Sequence, residues 1–177
     1  GKSYSGLANL FGKQYITRYD PIKNDAGTVI GVLYVGVDIS ADLLLLKEKI
    51  KEIKVGQTGF FYVLNAAPGK NYGMALIHPD LEGTNMLDNK DATGHPFIKE
   101  MLEQKNGTLR YMAAGVGAEA ARERSVDYSH FKAWNWVIAG GTYRDEITAE
   151  ADSLRNSYIL FGLVAIVIFS ALLFWLV

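Results

Sequence analysis

The chain has 177 residues, 18 Lys and Arg against 19 Asp and Glu, a formal net charge of -1 at pH 7 and no cysteine. Such a balance gives no overall attraction to nucleic acid or acidic lipid. The missing cysteines exclude disulfides, thiolate metal ligands and thiol catalysis, and leave the compartment open.

The length suits one or two small domains. From the N-terminus, "YITRY" alternates near period 2, "NDAG" (Asn24 to Gly27) is a turn signal, and "TVIGVLYVGVDI" is apolar and β-branched. The last stretch reads as a buried strand, with Gly31 and Gly36 marking a bulge or a close approach. Residues 1–39 are therefore expected to be the closing strands of an antiparallel sheet.

At Ser40 the period changes to that of a helix. Ser40 is the expected N-cap and Asp42 an acidic first-turn residue. Leu43, Leu46, Ile50 and Ile53 follow at helical spacing, with Lys47, Glu48, Lys51 and Glu52 on a solvated face. Gly56 can close this helix, which would join two lobes.

A second sheet is expected after it. "GFFYVLN" and "MALIHP" read as strands around the turn "APGKNYG", and residues 80–105 mix turns with a short helix opened by Pro96. Asn106-Gly107 turns into the strand "TLRYMAAG". It also forms a glycosylation sequon with Thr108, which a turn explains better. "RSVDYSHF" and "WNWVIAGGTY" make a hairpin around "KA". Trp134 and Trp136 should share a face, Gly140 and Gly141 relax the end of the sheet, and Thr142 with Asp145 approximates a capping box. About five antiparallel strands with one helical excursion make an α+β plan.

The tail is the strongest signal. Tyr158 to Val177 is 20 residues without charge, Pro, Asn or Gln. At ~1.5 Å per residue a helix of that length spans the ~30 Å hydrocarbon layer of a bilayer. A buried core helix is the alternative, but apolar residues on every side over that length favour a transmembrane helix. Tyr158 and Trp175 stand where interfacial anchors would. The chain starts without Met or leader and stops at this segment, so it is expected to be a fragment cut at both ends.

Chemical motifs are sparse. "GKS" at Gly1 to Ser3 lacks the helix that a phosphate-binding loop needs. His78 with Asp80, and Asp88, Asn89 and Asp91, are too few or wrongly spaced for a metal site. No nucleophile signature occurs. Neither an enzyme nor a cofactor is expected.

Several of these stretches resemble one family. "GKQYITRYDPIKNDAGTVIGVLYVGVDIS" looks like the closing strands of a membrane-distal Cache lobe. "VGQTGFFYVLN", "ALIHPDLEGTN", "KDATGHPFIKEM" and "HFKAWNWVIAGGTYRDEI" look, in that order, like the membrane-proximal lobe. The whole is similar to the extracytoplasmic sensor region of bacterial methyl-accepting chemotaxis receptors, from about Gly12 to Ile147. Departures fall at Ala113, where the family often has Trp, at Arg124, usually Lys, and at Asp127, commonly Tyr.

The resemblance implies a PAS-like Cache lobe with an antiparallel sheet and covering helices, followed by a transmembrane helix. It implies a truncated distal lobe over 1–39, a connecting helix over 40–56, a proximal lobe over 57–147, a juxtamembrane helix over 148–157 and a membrane span over 158–177. Such a lobe commonly binds a small organic acid or amino acid between the sheet and its cover. Candidate contacts are Tyr62, His78, Tyr111 and Arg124, with Trp134 as a wall. The implied partners are that ligand, the bilayer, a second copy in a homodimer and cytoplasmic signalling proteins, in a cell-membrane receptor with its sensor outside. Histidine kinases and cyclic-dinucleotide enzymes carry similar sensors, and a membrane-tethered interaction domain without a small ligand is a further alternative.

Overall fold

Three antiparallel strands open the chain: β1 (Tyr4–Leu10), β2 (Lys13–Lys23) and β3 (Val29–Asp38). The computed structural model describes residues 1–113 and 120–176. The order is β1-β2-β3, with Tyr19 of β2 facing Tyr4 on one side and Tyr34 on the other. The Asn24–Gly27 turn forms, and a bulge at Ile22/Lys23 falls opposite Gly31, where the glycine had marked an irregularity. The expectation that β3 is buried needs correction. Leu33 is 63 % exposed, and Val32, Val35 and Val37 are exposed as well, because β3 is an edge strand covered on neither face among the described residues.

Helix α1 (Ser40–Glu52) follows at once. Ser40 is its first helical residue, not its cap. Ile39 holds the cap position, and Asp38 Oδ1 accepts the Ser40 amide at 3.0 Å and the Ser40 hydroxyl at 2.7 Å. Leu43 is the buried residue of the helix. The lysine face is not wholly given to solvent. Lys47 and Lys51 grip Glu82 at 2.8 Å and 2.6 Å, tying α1 to the loop after β6 (Ala75–Ile77). Gly56 does not close α1, which ends four residues earlier at Glu52. A two-residue strand, β4 (Lys54–Val55), intervenes.

The second sheet adds β5 (Gly59–Asn65), β7 (Gly107–Ala113), β8 (Arg122–Phe131) and β9 (Trp136–Tyr143). Its order is β4-β5-β9-β8-β7, with β6 paired to β5, and every described pairing is antiparallel. The α+β plan is the one expected. The reading of β7 as far as Gly115 runs into residues 114–119, which lie outside the described ones.

Alternate residues of each strand face opposite sides, which gives this sheet two apolar faces. On one, Tyr62, Leu64, Leu109, Tyr111, Val126 and Tyr128 pack against α2 (Phe97–Gln104). The helix presents Phe97, Ile98, Met101 and Leu102, spaced to form one stripe, and burying each contributes about 1.5–3 kcal/mol before chain entropy is counted. On the other face, Val63, Ile77 and Trp136 meet Ile39 and Leu43.

Gly140 and Gly141 sit inside β9, paired to both neighbours, and do not merely relax its end. Helix α3 (Arg144–Leu176) starts directly after β9. The capping box does not form; the Thr142 hydroxyl instead donates to Glu146 Oε2 at 2.6 Å. Among the described residues no helix is long and apolar enough to cross a membrane. The expected span ends at Val177, which with the side chain of Trp175 lies outside them.

Candidate functional site

Antiparallel register brings three of the sequence candidates onto one face. Tyr111 in β7 pairs with Arg124 in β8, Arg124 pairs with Tyr143 in β9, and Tyr62 in β5 pairs with Ala139, four residues earlier in β9 and on the same face. His78, just past β6, closes the row: its ring centroid is 5.1 Å from that of Phe60 and 5.7 Å from that of Tyr62. Tyr62, His78, Tyr111 and Arg124 are all buried.

Trp134 is not in this group. It lies in the turn between β8 and β9 and meets Trp136 edge-on at 4.7 Å, against the α1 side of the sheet. The two tryptophans do share a side, as expected. There they line an open cavity of about 330 Å³ with Leu7, Leu43 and Leu76.

Arg124 is the unusual member. Nη2 donates to the Gly141 carbonyl at 3.0 Å, and the guanidinium carbon sits 3.9 Å over the Phe60 ring. Nε is buried without a hydrogen-bond partner. Among the described residues no carboxylate pairs with Arg124. A buried cation with a carbonyl, the Tyr111 hydroxyl and a π face as partners, and no carboxylate, leaves much of its desolvation unrecovered.

The neighbours are neutral. Burial pushes the Tyr62 hydroxyl well above its ordinary value, with Tyr111 adding to the shift and Arg124 opposing it. Burial also raises Tyr111, again against Arg124. His78 is lowered by burial, opposed by Asp80 and reinforced by Arg124. Its Nδ1 accepts the Asp80 and Leu81 amides, both at 3.0 Å, so the ring proton sits on Nε2. The row thus holds one cation, two hydroxyls, of which that of Tyr62 donates weakly to Met101 Sδ at 3.4 Å, and one ring N–H, a set that matches an anion carrying oxygen acceptors. It holds no base-activated nucleophile. Among the described residues no cluster of His, Asp and Glu could hold a metal.

Three residues that sequence reasoning did not place are structurally prominent. Phe60, the ring under Arg124, carried no signal beyond being apolar in a strand. Asp91 was weighed as a cation contact. Its Oδ1 instead accepts the Thr93 amide at 2.8 Å, the Thr93 hydroxyl at 2.7 Å and the His95 amide at 2.9 Å, and its Oδ2 takes the Met112 amide at 2.9 Å. The carboxylate therefore folds the 91–95 loop and ties it to β7. Burial opposes its ionisation, but these four donors outweigh that and hold the carboxyl well below the usual range.

A depressed pKa stabilises the fold fully above the ordinary value of 3.8, and that part is lost as pH falls through and below it. Asp91→Asn should lower the melting temperature at neutral pH. The gap to wild type should narrow on acidification from about pH 6 to about pH 3. Thermal melts across that range check this, and an unchanging gap would rule it out.

Glu146 is the third. Its carboxylate accepts the Gln57 amide at 3.0 Å, the Thr58 amide at 3.1 Å and the Thr58 and Thr142 hydroxyls. Burial again opposes ionisation, yet the two hydroxyls and two amides hold the pKa at about 2. Beside it, Arg122 grips Asp145 through bonds of 3.0 and 2.7 Å, and Arg144 pairs with Glu123 at 2.8 Å. The first turn of α3 is thereby pinned to β8 and to the 56–58 turn.

A sequence model of the Cache 3/Cache 2 fusion domain matches residues 1–157. The chain belongs to that family. This Cache chain is similar to the methyl-accepting chemotaxis protein McpP of Pseudomonas putida (strain KT2440), with 23% identity over 85% of the chain and 30% of the relative. It thus spans under a third of that protein's length. Two solved structures share its fold. One, solved for carboxylic acid recognition by a Cache chemosensory domain, has a TM-score of 0.50 and 23% identity, covering 59% of this chain and 73% of its own. The other is the extracellular domain of mmHK1S-Z2, assigned as a histidine kinase, with a TM-score of 0.57 and 16% identity, covering 82% and 52%.

Proposed function

We propose that this Cache chain is the extracytoplasmic sensor of a chemotaxis receptor, and that it binds a small organic acid or amino acid through Arg124. The observation that carries this reading is the buried, unpaired guanidinium with its orphaned Nε. A ligand carboxylate bridging Nε and a terminal nitrogen would form two parallel charge-assisted bonds and supply the missing counter-charge. Tyr62 and Tyr111 would offer hydroxyls and His78 its Nε2 proton, with Phe60 as floor. Trp134, on the other face, is left to packing. A structural relative that recognises carboxylic acids supports the ligand class.

In this reading residues 1–39 end a distal lobe, 40–56 connect, 57–147 form the sensing lobe, 148–157 are juxtamembrane and 158–177 cross the bilayer. The uncharged run from Tyr158 supports the last assignment. The protein would sit in the cell membrane as a homodimer, sensor outside, and pass its state to cytoplasmic partners. The likeness to mmHK1S-Z2 favours a second reading, the sensor of a histidine kinase, with the same ligand site and a different output.

The test is calorimetric titration of the 177-residue chain in detergent with acetate, succinate and L-asparagine. At least one should bind, and Arg124→Ala should weaken it by about 10- to 100-fold. A folded wild type that takes none of them, or an alanine variant that binds equally well, removes Arg124 from the site.

A further inference from the structure

We propose that Glu146 is a positioning residue that reports the state of the Arg124 guanidinium to the first turn of α3. The inference rests on the sensor reading above and adds the route by which the site is read out. The route is short and made of direct contacts. Arg124 Nη2 holds the Gly141 carbonyl at 3.0 Å. The next residue, Thr142, donates its hydroxyl to Glu146 Oε2 at 2.6 Å. The same Oε2 accepts the Gln57 and Thr58 amides at 3.0 and 3.1 Å.

The far end is built as an anion cradle. Gly56 has φ +67, and a methyl group there would lie 3.0 Å from Glu146 Oε2 and 3.1 Å from Thr142 Oγ1. A left-handed residue followed by two inward amides is a backbone nest that favours negative charge. The Glu146 side chain is only 9% exposed where it enters that nest. A carboxyl with a pKa of about 2 stays charged at any physiological pH, so acid does not open this latch and something else must move it.

That mover is the bond on Gly141. A carboxylate that takes Nε and Nη2 side-on shares Nη2 with the Gly141 carbonyl, and because the planar fork turns as a unit, aligning it on the ligand pulls Nη2 off that carbonyl. A ligand that turns Arg124 toward itself loosens Gly141 in β9. Thr142 moves with it, and the Glu146 carboxylate loses a donor. Glu146 belongs to α3, so the helix start is released from the 56–58 turn in proportion. Only a ligand that favours the turned state shifts the balance.

The experiment is hydrogen exchange at single-amide resolution on the 177-residue chain, following the Gln57 and Thr58 amides. Glu146→Gln and Thr142→Val should each speed exchange at both by about 10-fold, the difference between charge-assisted and neutral bonds, and Thr142→Ser should restore protection. Arg124→Met, which removes a buried charge and keeps volume, should speed the same two amides although it touches neither. In a Thr142→Val background it should add nothing further, because the link is already cut. Succinate on the wild type should reproduce the Arg124→Met pattern.

If Arg124→Met leaves Gln57 and Thr58 protected, or its effect simply adds to that of Thr142→Val, Glu146 is a local anchor and the proposal falls. If the variants couple as stated while acetate, succinate and L-asparagine all fail to bind, the relay stands and the carboxylate reading falls. Should Glu146→Gln prove unfolded, the Thr142→Val and Arg124→Met cycle decides alone.

Discussion

Gly141→Ala should destabilise the lobe built on the second sheet by about 3 kcal/mol or more, the upper end of overpacking costs and a large share of the stability of a small domain. A Cβ at Gly141 would collide with the Ser125 carbonyl oxygen and lie 2.7 Å from Val126 Cα. Both atoms are backbone of β8, paired to β9 across this position, so no side chain can rotate aside. The strands must part, and the ladders from Gly141 to Val126 and to Phe60 weaken together. Gly140→Ala is the control. Its Cβ would meet the Phe61 ring, which can swing outward, and the cost should be about 1 kcal/mol. Urea unfolding of the two variants and the wild type measures the difference. Equal midpoints for Gly140→Ala and Gly141→Ala would show that β8 yields where the packing says it cannot.

Gly141 also illustrates what a sequence can and cannot disclose. "AGG" before Thr142 is visible as a place where side chains are missing, but a glycine pair at the end of an apolar run reads equally well as flexibility. Only the register reveals that β5 and β8 close in from both sides. The sheet itself was legible. Period-2 alternation, turn residues at Asn24, Asn106 and Lys132, and the change of period at Ser40 each report local chain geometry, and local geometry is what a sequence window encodes. The exposure of β3 was not. "TVIGVLYVGV" has the composition of a buried strand, and which faces are covered depends on elements far away in sequence.

The site divides along the same line. Tyr62, Tyr111 and Arg124 were found as polar tips on strand positions, and the parity of those positions puts them on one face. Trp134 had the right composition but stands two residues before β9, in the turn, and shares the α1 side with Trp136, opposite the face of Arg124. The bonds of Asp91 and Glu146 were invisible for another reason. Asp91 reaches Met112, and Glu146 reaches Gln57 and Thr58, across separations no local pattern records. Their nearest sequence signals, an Asp two residues before Thr93 and a Thr four residues before Glu146, are common on any protein surface.

If the chain is the sensor of a chemotaxis receptor as proposed, inserting two glycines between Thr148 and Ala149 in the full-length protein should abolish its response to ligand while carboxylate affinity stays within about twofold. The warrant is the continuity of α3, which runs from Arg144 to Leu176 with no proline to break it. Two added residues turn everything downstream by about 200° and lengthen the helix by about 3 Å. The glycines also cost about 1 kcal/mol each in helix propensity and loosen the rod between Glu146 and the tail. Binding should be spared because Arg124, Tyr62, His78 and Tyr111 all precede the insertion and are held by the sheet. A seven-residue insertion of strong helix formers separates the two effects. It adds about two turns, returns the downstream face to within about 20° of its original phase and keeps the rod stiff. That variant should keep much of the response. Cells expressing each form, assayed for their swimming response to the acid that binds the wild type, supply the readout. A full response from the two-glycine form would mean that the state of β9 reaches the output without passing along α3. Loss of response from both insertions would point to length, not phase or stiffness, as what the helix transmits.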